Sequence, residues 1–313
     1  MKDSIAEVNS IFEQPWWLDA VAPEQWGCIE IKNGEEIEAR WPYFKTKRAF
    51  AQLYGQPQLT QTLGPWIRPR EGKRVKILSY YKKTLTNLVS FIPKRMNVDV
   101  HLDSNIKYVL PFRWLGFRYE PSFSYRFSNL DDLDGIFKGI EDARKCQIRK
   151  AERELTITDD KSIEVLIQLQ NKTYQRQNRK CPVAESTIRA IDKACLEHGA
   201  RFLLVAEDKD KNIHAACYFV YDTNRCYYLM GGIDPDYSNS GATSLLLWEG
   251  IKRASKVSKA FDFEGSEIED IERLFRSYGS EFVCYYRVYR LNFSLFLMDY
   301  LKPKIKNIIG YKQ

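Results

Sequence analysis

The sequence predicts an α/β (α+β) chain of two domains in which sheets are flanked by helices. Three observations carry this. The chain has 313 residues, 44% hydrophobic and 28% charged, an ordinary globular composition and a natural length for two domains of about 100–200 residues. Residues 201–231 hold three β-rich runs separated by polar turns, the pattern of a meander. Beyond it, helical and strand periodicities alternate through residues 243–256, 260–265, 267–278 and 282–291.

Taken in order, the chain opens with a short helix signal at residues 14–21, where Pro15 suits a first helical turn. Strands are expected at 26–32 and 36–43, joined by the Asn33, Gly34 turn. Residues 49–69, rich in Gln, Pro, Gly and aromatics, read as an extended loop. An amphipathic helix over 73–92 stops before Pro93. Strands follow at 97–102 and 119–127, then one basic helix over 133–155 and a short linker strand at 156–159. The division between domains falls near residue 157. Helices are expected at 162–178 and 184–198, the second closed by Gly199. The strands of the meander lie at 201–207, 213–221 and 225–231. A loop over 235–241 leads into the helix at 243–256, which sets Leu247, Ile251 and Ala254 on one face. The tail, 292–309, joins an apolar run to Lys302, Lys304 and Lys306, with Pro303 as a break. It reads as a helix docked on the core or as a segment resting on a membrane surface.

Bulk properties exclude some classes. A formal charge of +7 permits an anionic ligand without demanding nucleic acid, and DNA is not expected. Seven cysteines, none in a C-x-x-C pair, point to a reducing compartment. The start lacks a hydrophobic signal core and no run of about 18 apolar residues occurs, so a cytoplasmic protein is expected. There is no nucleophile elbow, Walker loop or metal-spaced His/Cys cluster, so no metal is expected. Of the three histidines, His198 reads as a stabiliser of its own helix end, and His101 and His214 sit in or beside strands.

The densest chemistry lies at Phe261, Asp262, Phe263, Glu264, Gly265 and Ser266. It reads as a strand with aromatics on one face and two carboxylates on the other, ending in a turn into the next helix. Strand ends of this kind are where α/β proteins place chemistry. Asp262 and Glu264 are candidates for holding or deprotonating an amine; the plain alternative is a pair of surface carboxylates. Arg276, on the last turn of the following helix, could stabilise anionic charge or cap its helix. The loop before the 243–256 helix offers Ser240, Gly241 and Ala242 as an accessible backbone for a phosphate or carboxylate, or simply a capped helix start. Arg144, Lys145, Arg149, Lys150 and Arg153 form a basic stripe, either a solvated face or a diphosphate or RNA-backbone contact. Arg149 and Lys150, with Arg179, Tyr228 and Tyr237, are the candidate substrate contacts.

The second half resembles the GNAT-like acyltransferase domain of the Fem family, the peptidoglycan-bridge aminoacyltransferases. Four segments carry the likeness: 149–153, 169–182, 241–249, and the Asp262–Gly265 motif together with Leu274, Phe275, Arg276, Ser277, Tyr278 and Gly279. The first half is similar more loosely, through Gln14, Pro15 and Trp17 and through Leu63, Gly64 and Pro65. The resemblance implies tandem GNAT-like domains, each a mixed, mostly antiparallel sheet flanked by helices: a degenerate one at 1–157 and an acyltransferase domain at 158–313. It implies transfer of an acyl or aminoacyl group to an amine of a cell-envelope or polysaccharide precursor. Arg276 matches a basic residue that the family associates with transfer. The helical hairpin that some bridge-forming members insert has no counterpart between residues 181 and 201, and residues 237–242 only approximate the CoA signature of ordinary GNAT enzymes. The donor stays open among acyl-CoA as co-substrate, acyl carrier protein and aminoacyl-tRNA. No bound cofactor is expected, and the acceptor is a small or lipid-linked amine, with peripheral contact to the inner face of the membrane through the tail. The reading from another class is a non-catalytic protein that holds a nucleotide sugar or RNA on the same fold.

Overall fold

The computed structural model describes residues 7–308 except 177, 266 and 267, and only the backbone of 302–308. Ser266, Glu267 and Ile309 of the segments named above therefore lie outside the described residues. In chain order the elements are α1 (Pro15–Val21), β1 (Trp26–Asn33), β2 (Glu36–Arg48), β3 (Ala51–Gly55), β4 (Trp66–Ile67), α2 (Arg74–Ser90), β5 (Asn97–His101), α3 (Leu110–Trp114) and β6 (Arg118–Phe127). They continue with α4 (Leu133–Gly139), α5 (Asp142–Glu154), β7 (Thr156–Thr158), α6 (Ile163–Arg176), α7 (Glu185–Glu197), β8 (Arg201–Glu207), β9 (Ile213–Tyr221) and β10 (Arg225–Ile233). Last come α8 (Ala242–Ala254), β11 (Ala260–Asp262), α9 (Glu269–Arg276), β12 (Glu281–Arg290) and α10 (Phe293–Ile308).

Contacts divide the chain into two compact units, Met1–Ser122 with Cys284–Gln313, and Phe123–Val283. This differs from the expected division near 157. The reason is visible in both cores. Ile148 and Ala151 of α5 are buried with the α8 side chains, and β7 pairs with β8, so both belong with the second unit. Val288 of β12 is buried with Val98 and Val100, so the chain after residue 284 belongs with the first.

In the first unit the strand order is β1-β2-β3-β5-β12, with β4 added to β2. All pairs are antiparallel except β3 with β5. The Asn33, Gly34 hairpin forms as expected. Part of the segment expected to be a loop is strand β3. Its Leu53 and Tyr54 are buried between β2 and β5, so tertiary pairing overrides a composition rich in turn residues. Leu85, Leu88 and Val89 of α2 close the core against Trp41, Val98 and Val100.

In the second unit the order is β6-β11-β10-β9-β8-β7, again with one parallel pair, β10 with β11. β9 carries seven consecutive buried residues, His214 to Val220, because helices cover both its faces: α8 on one and α6 on the other. The helix expected over 133–155 is broken. Ile140 and Glu141 are extended, and the break turns Ile140 into the core. His198 meets its expected partner, with its ring Nδ1 2.9 Å from the Ala194 carbonyl. Pro303 does not end the tail helix: α10 runs through it to Ile308, losing a single ladder donor.

Candidate active site

The site is built where β10 and β11 part. Arg225, Cys226 and Tyr227 pair with Ala260, Phe261 and Asp262, and there β11 stops. β10 continues to Ile233 on β9 alone among the described residues, with a bulge at Leu229. The chain leaves β11 through two successive left-handed residues, Glu264 (φ 63°) and Gly265 (φ 74°). A side chain at Gly265 is excluded as well as strained: a Cβ there would lie 2.1 Å from the Phe123 carbonyl oxygen. The turn is thus pressed against the backbone of β6.

This corrects the expectation that Asp262 and Glu264 share an open strand face. Asp262 is fully buried. Its carboxylate accepts from Ser124 Oγ (2.5 Å), Arg126 Nε (2.8 Å) and Nη2 (2.7 Å), and the Glu264 amide (2.8 Å). With its oxygens engaged on several sides, it positions the turn and is not placed to take a proton. Glu264 differs. Its residue is half-exposed while its Oε1 is withdrawn from water. Burial, and then the neighbouring Asp262 carboxylate, push its carboxyl well above the ordinary range. Two acids two positions apart therefore serve different ends.

Arg276 stands exposed on the last turn of α9, and its Nε bonds Glu272 Oε1 at 3.0 Å. Glu272 in turn accepts from the Tyr125 hydroxyl of β6. Tyr228 is placed otherwise than expected of a substrate contact. Its ring packs on Phe219 and Phe275, and its hydroxyl sits by Gly231 and the buried Cys217 thiol.

The loop before α8 is pinned. Asp234 accepts from Lys172 Nζ of α6 (2.6 Å) and from the Asp236 amide (3.1 Å), and Tyr237 stacks on His214 with ring centroids 3.9 Å apart. Ser240 Oγ accepts from the Ala242 amide at 3.3 Å. The accessible backbone expected at Gly241 and Ala242 is covered: Ala242 is buried, and a Cβ on Gly241 (φ 78°) would lie 2.8 Å from the Gln147 carbonyl of α5. Small residues here let two helices approach. Arg144 of α5 ties the seam, donating to Ser244 Oγ (2.8 Å), Gln147 Oε1 (2.6 Å) and Ser277 Oγ (3.0 Å). Arg149 and Lys150 lie exposed on α5, with Arg149 over the Phe137 ring, and Arg179 is exposed just past α6.

The structure thus gathers Asp262 and Glu264 with Ser124 and Arg126, Arg276 with Glu272 and Tyr125, and Tyr237 with His214, beside the Lys172–Asp234 pair. Arg149, Lys150 and Arg179 stand outside these groups. Sequence reasoning missed Ser124, Arg126 and Lys172. Ser124 and Arg126, alternating with Phe123, Tyr125 and Phe127, were the available signal.

Residues 141–267 match the family model of the acetyltransferase (GNAT) domain. That stretch of the chain is similar to a GNAT acyltransferase domain. The GNAT match contains both β10 and β11 and the turn that follows them. The fold is similar to that of FemX, with a TM-score of 0.69 at 11% identity over 92% of this chain and 94% of that one. It is also similar to the C-terminal domain of a putative lysylphosphatidylglycerol synthetase from Agrobacterium fabrum (TM-score 0.55, 9% identity, 88% of each chain). A third match is L-PGS from Bacillus licheniformis (TM-score 0.53, 13% identity, 94% and 91% covered). The fold of the chain is Fem-like. No curated protein matches the chain by sequence.

Proposed function

We propose that the second unit transfers an acyl or aminoacyl group from an activated ester or thioester to an amine of a cell-envelope or polysaccharide precursor. The observation that carries this reading is that β11 stops at Asp262 while β10 runs on to Ile233, with a Glu264 carboxyl oxygen withdrawn from water in the turn that ends β11. The fold shared with FemX and with lysylphosphatidylglycerol synthetase domains is in keeping with aminoacyl transfer.

In this reading the amine nitrogen attacks the donor carbonyl carbon, and a C–N bond forms as the carbonyl oxygen gains charge. Backbone N–H groups of β10 near the Leu229 bulge receive that oxyanion. The donor C–O or C–S bond then breaks. The ammonium proton passes to Glu264, directly or through water, and the leaving oxygen or sulfur is protonated in turn. A carboxyl raised toward neutrality is a stronger base once ionised. Asp262 holds the Glu264 amide and fixes the turn. Most of the rate comes from orientation.

The test is a panel of acyl-CoAs, acyl carrier protein and charged tRNA, each with a nucleotide-linked or lipid-linked amino sugar. Melting temperature reports donor binding and mass spectrometry reports the amide product. One donor class should raise the melting temperature and give product that Glu264→Gln abolishes. Donor binding without product across the panel would support the binding-protein alternative.

A further inference from the structure

We infer that Gln170 of α6 binds the acyl acceptor and selects a primary amine, an inference that rests on the acyl-transfer reading above. α6 turns one stripe of residues to the sheet. Ile163, Leu166 and Ile167 of that stripe are buried, and its next position is Gln170. A polar group at such a position is ordinarily hydrogen-bonded. Its neighbours are: Asn171 Nδ2 donates to Glu185 Oε1 (3.0 Å), Lys172 Nζ to Asp234 Oδ2 (2.6 Å) and Thr173 Oγ1 to the Ile233 carbonyl (3.0 Å). Gln170 Oε1 is withdrawn from water and has no partner among the described residues. A buried carbonyl left unpaired lowers stability, and a group kept at that cost fits a functional role.

Its place indicates the missing donor. A Cβ on Gly232 would lie 2.9 Å from the Gln170 backbone nitrogen and 2.7 Å from Leu169 Cβ, so α6 lies directly on β10 there. Gly232 belongs to the stretch of β10 that runs on after β11 has stopped at Asp262. Lys172 meets Asp234 and Thr173 meets Ile233, while Leu169 and Gln170 meet Gly232, so stepping back along α6 steps back along β10. Helix side chains lean toward the N-terminus of their helix. The Gln170 amide therefore leans from Gly232 toward the bulge at Leu229, beside which the carbonyl oxygen gains its charge. The residue is half-buried, so it is within reach of a small group from solvent.

A carbonyl oxygen only accepts. A primary amine brings two N–H bonds to the transfer: one proton goes to Glu264, and the other hydrogen stays on nitrogen in the amide product. Gln170 Oε1 holds that second hydrogen and so aims the nitrogen lone pair at the donor carbonyl carbon. A secondary amine has a single hydrogen. Once Glu264 takes it, Gln170 is left unpaired.

The test compares a UDP-linked amino sugar with its N-methyl form, in the parent and in Gln170→Leu. With a donor that supports transfer, kcat/KM for the primary amine should exceed that for the N-methyl amine by roughly tenfold to 100-fold. Gln170→Leu should bring the ratio near one by losing the primary amine alone, whereas a residue that only shapes the fold would lower both rates together. Melting temperature should hold or rise in Gln170→Leu, since an apolar side chain at a sheet-facing position replaces an unpaired carbonyl. Gln170→Met repeats the comparison with an unbranched chain. With no donor present, the primary amine should raise the melting temperature of the parent more than that of either variant. A ratio near one in the parent, a ratio unchanged by both variants, an equal thermal shift in all three proteins, or a fall in melting temperature in both variants overturns the inference. If no donor gives product, the acyl-transfer reading falls, and the donor-free shift decides the role of Gln170 alone.

Discussion

Arg126 grips Asp262 through two nitrogens, at 2.8 and 2.7 Å, and Asp262 is wholly out of water. Stripping a buried ion pair of one partner destabilises by about 3–5 kcal/mol. Asp262→Asn keeps the shape and removes the charge, leaving Arg126 uncompensated. Chemical denaturation should show a loss of about 3 kcal/mol. A variant as stable as the parent would show that the pair does not hold β6 to β11.

Glu264→Gln should behave in the opposite way. The raised carboxyl is easily kept protonated, so a neutral amide resembles its resting form and the melting temperature should not fall. Transfer should drop by about 10²–10⁴-fold. In the parent, activity should rise with pH along a limb displaced above the ordinary carboxylate range; the glutamine variant should lose that limb. A pH–rate profile with the limb intact in the variant assigns the base elsewhere.

Glu13 sets a pH dependence on the first unit. It is fully buried, and burial, with Asp103 adding to it, raises its pKa from 4.5 to about 8 despite bonds from Asn9 and the Gly64 amide. An acid raised in the folded state contributes its full stability below its unfolded pKa and loses it as pH rises through the folded one. The window here runs from about 4.5 to about 8. Denaturation midpoints should fall across it, and Glu13→Gln should flatten the fall. An equal slope in both proteins would sink this assignment.

Gly265→Ala should be destabilising by more than about 1 kcal/mol, since the left-handed backbone and the Phe123 carbonyl both oppose a side chain. Gly241→Ala should weaken the α5–α8 seam for the same two reasons, its nearest obstacle being the Gln147 carbonyl. Thermal melts of the two variants compare them directly; unchanged melting in Gly265→Ala would mean the turn can leave β6.

The meander of β8, β9 and β10 was legible because its apolar runs are long and its turns carry Asp and Asn. β3 was not, since its five residues owe their conformation to neighbours on both sides. The break at Ile140 was hidden for a like reason: the local pattern is helical, and only the core draws that side chain inward. At the candidate site, residue types pointed to this turn but not to its partners. Nothing near Asp262 in sequence announces Ser124 or Arg126, and that pairing decides which of the two acids remains available.

The chain enters the second unit at Phe123 and leaves it at Val283. During synthesis, then, the second unit emerges from the ribosome as one uninterrupted piece and can close at once. The first cannot. Val98 to His101 wait as an unsatisfied edge until Arg287 to Arg290 arrive, after all of the second unit has been made. The part made first is the part finished last, and its bare strand is the stretch a nascent-chain chaperone would have most reason to cover.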